Sequence, residues 1–182
     1  FLLAIGAVGA YHFLSHVQVR FQIWLNPFAD AQNKGYQIVQ SLYSLADGGL
    51  AGVGVGKGLA KLIPIVESDF IFSAIGEELG MLGCLAVLLL LSAVIIRIIH
   101  VGIKSGNYMN RLICVGIAGM MASQILINVG VCLGLVPVIG LTLPFFSYGG
   151  SSLITTFLAM GIVSGIKMRP APDMSAHYIR PY

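Results

Sequence analysis

Charge is what this sequence has least of. Of its 182 residues only 9% are Asp, Glu, Lys or Arg, against 57% hydrophobic, whereas a soluble globular domain carries about 25% charged residues. A chain with a mean hydropathy of +0.92 has too little polar surface to be kept in water, which excludes a soluble domain. The few charges are also unevenly spread. Between Glu78 and Arg97 lie 18 residues without a charge, and between Arg111 and Lys167 lie 55. A helix crossing the hydrocarbon core needs roughly 17–25 residues, so the first gap holds one span and the second holds two with a turn between them. The apolar stretch from Phe1 to Val19 makes another.

Cysteine is scarce too. Cys84, Cys114 and Cys132 each stand within an apolar stretch with no neighbouring thiol, where a small, soft side chain packs well; this points to packing and away from redox or metal chemistry. Phe1 opens the chain inside an apolar run, without an initiator Met or a basic flank. It does not read as a signal peptide, and the chain is expected to start within a longer protein.

What is present is an all-α, polytopic membrane pattern, about four full spans plus one short or tilted helix. The first element runs from Phe1 to about Val17 and ends at Arg20. The second, Gly35 to about Ala46, is too short to span unless tilted, continued by its flanks or buried among other helices. A Gly-rich, charged stretch follows, Asp47 to Asp69. Three further helices are expected over about Phe70–Ile99, Leu112–Leu133 and Ser151–Ile166. The transmembrane region is thus 1–169, with outside loops at 47–69 and 134–150. A polar cytoplasmic tail at 170–182 holds Pro170, Pro172 and Pro181.

Positive loops stay cytoplasmic. If the helices simply alternate, Arg20 and Lys34 share the cytoplasmic side with Arg97, Lys104, Arg111, Lys167 and Arg169. The opposite side receives Lys57 and Lys61 balanced by Asp47, Glu67 and Asp69. The net charge of +3 is therefore an orientation signal, with no nucleic-acid partner implied.

Among so few ionisable residues, Asp69 stands out. It lies at the outer mouth of a membrane helix and is followed at once by Phe70, Ile71 and Phe72, a costly place for a charge and often a functional one. The competing reading is that Asp69 caps that helix together with Ser68. Glu77 and Glu78 sit eight and nine residues further on, about 12–14 Å deeper in a continuous helix, so they form no carboxylate dyad with Asp69. A structural ion pair or hydrogen bond suits them better than catalysis.

The run Gly52-Val53-Gly54-Val55-Gly56-Lys57-Gly58 looks superficially like a phosphate loop, but Ala51 and Gly58 stand where that pattern requires Gly and Ser or Thr. Backbone freedom explains it better, although Lys57 and Lys61 are able to attract an anionic headgroup. His12 and His16 share a helix face, but no Glu follows His12 as a zinc-protease helix requires. No metal site is assigned. Pro137, Gly140 and Pro144 lead into Ser147-Tyr148-Gly149-Gly150-Ser151-Ser152, a bent polar segment between two spans. It either lines a wet cavity or is an ordinary outside turn.

Four blocks, in order, resemble the SEDS family of bacterial cell-wall synthesis, the FtsW, RodA and SpoVE proteins. They are Trp24-Leu25-Asn26-Pro27-Phe28-Ala29-Asp30, Gly35 to Ser41, Ser68-Asp69-Phe70-Ile71-Phe72 with Gly76-Glu77-Glu78-Leu79-Gly80, and Leu143 to Ser152. The wording of residues 24–41 is more similar to FtsW or SpoVE than to RodA. The resemblance implies the carboxy-terminal half of a roughly ten-helix protein in the bacterial cytoplasmic (inner) membrane. It implies a peptidoglycan glycosyltransferase that polymerises lipid II into glycan strands during division or growth, with Asp69 at the position of the family's essential Asp.

Here Glu67-Ser68 replaces the family's His-Thr before that Asp. Lys57, Lys61, Gln40, Ser41, Ser147 and Ser151 are the side chains expected to meet substrate. The leaving diphosphate needs positive charge or a divalent cation, Mg or Mn. The implied partners are lipid II, the growing glycan strand, membrane lipids and a class B penicillin-binding protein (a transpeptidase). Two other functions remain open at this level: a transporter (flippase) of lipid-linked precursor, and a non-catalytic scaffold for the transpeptidase. The isolated fragment is expected to be inactive, because a cavity formed between both halves is left open.

Overall fold

A computed structural model describes residues 15–59 and 62–168. Most of the expected first span, His12, Lys61, Arg169 and the tail lie outside the described residues, as does the side chain of His16. The described chain is helical, and its elements are α1 (Ser15–Leu25), a 3-10 turn (Pro27–Asp30), α2 (Tyr36–Gly48), α3 (Ile71–Lys104), α4 (Tyr108–Cys132) and α5 (Gly150–Met168). Three of them, α3, α4 and α5, are long and apolar enough to cross a membrane.

The local chemistry explains the boundaries. Asn26-Pro27 stops α1, since Pro27 has no N–H to continue the helix and its ring suits the first turn of the next one. Gly49, at φ +51, ends α2. Asn107 starts α4 by accepting the Met109 N–H on its side chain at 2.9 Å. The short turn from Ser105 to Asn107 makes α3 and α4 an antiparallel pair.

Cys84, Val87 and Leu91 of α3 pack with Ile125, Val131 and Cys132 of α4 in one core cluster. Further along the pair, Ile98 and Val101 meet Cys114, Ala118 and Met121. Helix α5 joins through Thr156, Ala159, Val163 and Ile166, a stripe at helical spacing. The outward faces are apolar as well: Leu82, Leu85, Leu89, Leu90 and Ile96 of α3 are all exposed, as a lipid solvent permits and water does not.

Helix α2 corrects the topology expected from simple alternation. It runs alongside the start of α3 in the same direction: Gln37 donates to the Pro64 carbonyl, Ser41 bonds Ser73, and Gly48 abuts Gly76. After Gly49 the chain turns back, and Gly56 and Leu59 bond the side chains of Glu78 and Glu77. Segment 36–59 is therefore the inner part of a re-entrant hairpin, which enters at the Asp69 end and whose chain is back at that end by Asp69. Helix α1 is tied to that end too, through Arg20 Nη1 donating to Val138 O at 2.7 Å and Trp24 Nε1 donating to Gly134 O at 2.9 Å.

Arg20 and Lys34 thus lie at the opposite end from Arg97, Lys104, Arg111 and Lys167, and the folded segment at the Asp69 end begins near Asn26, well before Asp47. The reason is length: the 13 residues of α2 rise only about 20 Å, too short for the roughly 30 Å hydrocarbon core. The charge asymmetry sharpens as a result. Among the described residues every Asp and Glu lies in the part of the fold that begins at the Asp69 end, and the Lys104 end carries only basic side chains.

Candidate functional site

Asp69 closes a turn just before α3. The Ile65 carbonyl accepts the N–H groups of Ser68 and Asp69, and Ile65 itself holds φ +60, a costly conformation for a β-branched residue and one that clusters at functional sites. Four further residues fix this turn. Asn128 of α4, 1% exposed, donates its two amide hydrogens to Asp69 O at 3.0 Å and Leu141 O at 2.7 Å. Cys132 Sγ also points its weak donor at Asp69 O, 3.7 Å away. Ser147 donates to Ser68 O while accepting the Leu143 N–H, and the Tyr148 N–H bonds Glu67 O. The backbone of Asp69 is thereby clamped between α4 and the 134–149 loop.

The Asp69 carboxylate is left comparatively uncommitted. Helix α3 is N-capped by Phe70 without any side-chain hydrogen bond, so Asp69 does not serve as the cap. Among the described residues its carboxylate accepts one hydrogen bond, from Ser68 Oγ at 2.9 Å, and the group is only half-buried. Gly140, at φ +81, faces it; a Cβ there would stand 3.5 Å from Oδ2.

Lower in the fold, α3 is broken at Gly80 (φ 68, ψ −169). The break strands two carbonyls above and two N–H groups below, and the Gly-rich run bonds all four. Val53 and Gly54 N–H donate to Glu77 O and Glu78 O at 2.9 and 3.0 Å, while Met81 and Leu82 N–H donate to Gly49 O and Leu50 O at 2.9 and 3.3 Å. Such close backbone approach requires glycine: a Cβ on Gly52 would lie 2.2 Å from Glu78 O, and one on Gly48 would lie 1.9 Å from Gly76 O. Glu77, 2% exposed, accepts the Leu59 N–H, and its Oε2 has no partner among the described residues. Glu78 accepts the Gly56 N–H at 3.1 Å.

The residues expected to meet substrate are not gathered in one place. Ser41 is fully buried and bonds Ser73 Oγ at 2.6 Å and Cys132 O at 2.9 Å. Ser147 is 3% exposed and bonded on both sides. Both hydroxyls are sealed inside and satisfied, which is not the open placement expected of a substrate contact. Lys57 is exposed, but its loop is held at the level of Glu78, about 12–14 Å of helix rise from Asp69. Gln40 is half-buried on α2 and Ser151 is exposed in the first turn of α5.

Asn128 was not singled out from sequence. Its signal is a lone carboxamide inside an apolar helix, which is expensive unless bonded. Arg20 was placed only as an orientation charge.

These features define a polytopic α-helical membrane protein with a folded re-entrant segment at one end and a clamped, accessible carboxylate at a helix mouth. The chain belongs to the FtsW/RodA/SpoVE family: the family model described as "Cell cycle protein" matches residues 1–171. It is 44% identical over 165 residues to the peptidoglycan glycosyltransferase RodA of Mycobacterium tuberculosis, covering 91% of this chain and 35% of that one. It is 42% identical to the stage V sporulation protein E of Bacillus subtilis, covering 81% and 41%. With the probable peptidoglycan glycosyltransferase FtsW of Lactococcus lactis the identity is 35%, covering 98% and 44%.

The chain therefore spans well under half the length of these relatives. Their identities do not single out FtsW over the other members. A solved structure reported for the structural coordination of polymerization and crosslinking by a peptidoglycan synthase complex superposes with a TM-score of 0.69 at 30% identity, covering 91% of this chain and 46% of that one.

Proposed function

We propose that the full-length protein polymerises lipid II into glycan strands at the outer face of the bacterial cytoplasmic membrane, with Asp69 as general base. The observation that carries this reading is the Asp69 carboxylate, neither cap nor buried anchor, on a backbone fixed by Asn128 and Ser147. The acceptor sugar's 4-hydroxyl attacks the donor's anomeric carbon. The new O–C bond forms as the bond to the lipid diphosphate breaks, the electron pair leaves on the diphosphate oxygen, and Asp69 takes the hydroxyl proton. Names of the relatives and the 30% identical synthase complex support the same chemistry. That complex, which couples polymerization to crosslinking, also supports a class B penicillin-binding protein as partner.

Among the described residues no three His, Cys, Asp or Glu side chains converge to hold a metal. The proton chemistry is assigned to Asp69, and a divalent cation at the leaving diphosphate stays a proposal from that group's charge.

A re-entrant hairpin on a broken helix is also a transporter feature, which keeps the flippase reading in view. Here the backbone groups freed at Gly80 are bonded by the hairpin itself, which supports a structural role for the break. Asp69→Asn in the full-length protein tests the assignment. Polymerisation of lipid II is expected to fall by about 10²–10⁴-fold, with thermal stability and partner co-purification unchanged. A wild-type rate would remove Asp69 as base, and lipid II movement across liposomes without glycan product would favour transport.

A further inference from the structure

Arg20 and Lys34 line two cavities at the Asp69 end. One, of about 120 Å³, is completed by Ile23, Gln37, Ile38 and Val138. The other, of about 420 Å³, is completed by Ser15 and Val19, and its size lies within the range of small-ligand sites. Among the described residues, no Asp or Glu lines either cavity. The acid closest in sequence, Asp30, is turned onto its own turn, accepting Asn33 Nδ2 at 2.9 Å and the Lys34 N–H at 3.4 Å. Two cations sharing cavity walls without counter-charge repel each other and favour an anion between them.

Arg20 is pre-oriented for that task. Nη1 donates to Val138 O, and the rest of the planar fork is available for a phosphate. The same loop links the cavity to the carboxylate. Val138 lines the smaller cavity, which shares Arg20 and Lys34 with the larger, and Gly140 faces Asp69 Oδ2; an extended chain separates these two residues by at most about 7 Å.

We propose that the Arg20–Lys34 cavity receives the diphosphate of the lipid-linked donor, so that charge developing on the leaving group is met there while Asp69 removes the proton. This rests on the glycosyl-transfer reading above, and it moves the diphosphate site away from Lys57. Arg20 and Lys34 act as fixed charges and transfer no proton.

The test uses the full-length protein and binding of a fluorescent polyprenyl diphosphate, alongside lipid II polymerisation kinetics. Lys34→Gln, at a side chain that bonds nothing described, and Arg20→Lys, which keeps a donor for Val138 O, are each expected to weaken binding and raise KM about tenfold or more. That is the effect of losing a charge-assisted hydrogen bond. Asp69→Asn is expected to lower turnover by the same about 10²–10⁴-fold and leave binding intact.

Wild-type binding by both Arg20 and Lys34 variants overturns the site, whatever their turnover. If the wild-type protein binds the probe through Lys34 but makes no glycan, the site stands and the enzyme reading fails. Competition by inorganic pyrophosphate as strong as by the lipid would assign the cavity to a free phosphate and overturn the lipid assignment.

Discussion

At the scale of single residues, Asn128 shows how a membrane helix positions a charge outside itself. Its amide hydrogens hold the carbonyls of Asp69 and Leu141, so one side chain aligns the turn before α3 with the loop before α5. Replacing it with Leu, of similar size, leaves both carbonyls without that donor, each costing about 1–3 kcal/mol. Asn128→Leu is expected to lower the Tm in detergent and to slow polymerisation, although Asn128 reaches no substrate in the proposed mechanism. An unchanged Tm would show that the clamp is dispensable. Asp69 itself was legible in sequence, because few other carboxylates compete with it. The fates of Ser41 and Ser147 were not, since a serine in a motif reads the same whether its hydroxyl faces a cavity or Cys132 O and Ser68 O.

At the scale of elements, the break in α3 and the Gly-rich run are one unit. The spacing of glycines was visible in sequence, but its cause was not chain freedom alone. Gly52 and Gly80 let two backbones touch: a Cβ on Gly80, at φ +68, would meet Gly52 N at 2.4 Å and Leu50 O at 2.5 Å. Gly80→Ala is expected to cost at least about 1–3 kcal/mol from the backbone conformation alone, and to expose segment 49–59 to protease. Gly116→Ala in α4 is the contrasting case, with nothing within 4 Å of the added methyl and a gain of up to about 1 kcal/mol in helix propensity. Thermal unfolding of the two variants side by side checks the pair, and equal Tm values would show that the hairpin does not depend on close approach at Gly80.

At the scale of the whole molecule, the hairpin decides topology. In full-length protein expressed in cells, Gln32→Cys and Tyr148→Cys, both at exposed positions of the Asp69 end, are expected to react with a membrane-impermeant maleimide from outside. Lys104→Cys is expected to react only after permeabilisation. The native Cys84, Cys114 and Cys132 are buried and give little background. Labelling of Gln32→Cys together with Lys104→Cys would restore simple alternation.

The sequence by itself determined the solvent, because 18- and 55-residue runs without charge have only one stable environment. It also determined the three long spans to within a few residues, and Asp69 as the outlying carboxylate. These are properties of composition and spacing, which accumulate along the chain. Only the tertiary structure decided that α2 turns back, that Arg20 and Lys34 lie with Asp69, and that the glycines serve a broken helix. Those outcomes depend on contacts between residues 24 to 118 positions apart, such as Gly54 with Glu78, Ser41 with Cys132, and Arg20 with Val138. A backbone hydrogen bond across such a separation leaves no periodic trace in sequence, since every residue but proline offers the same donor and acceptor.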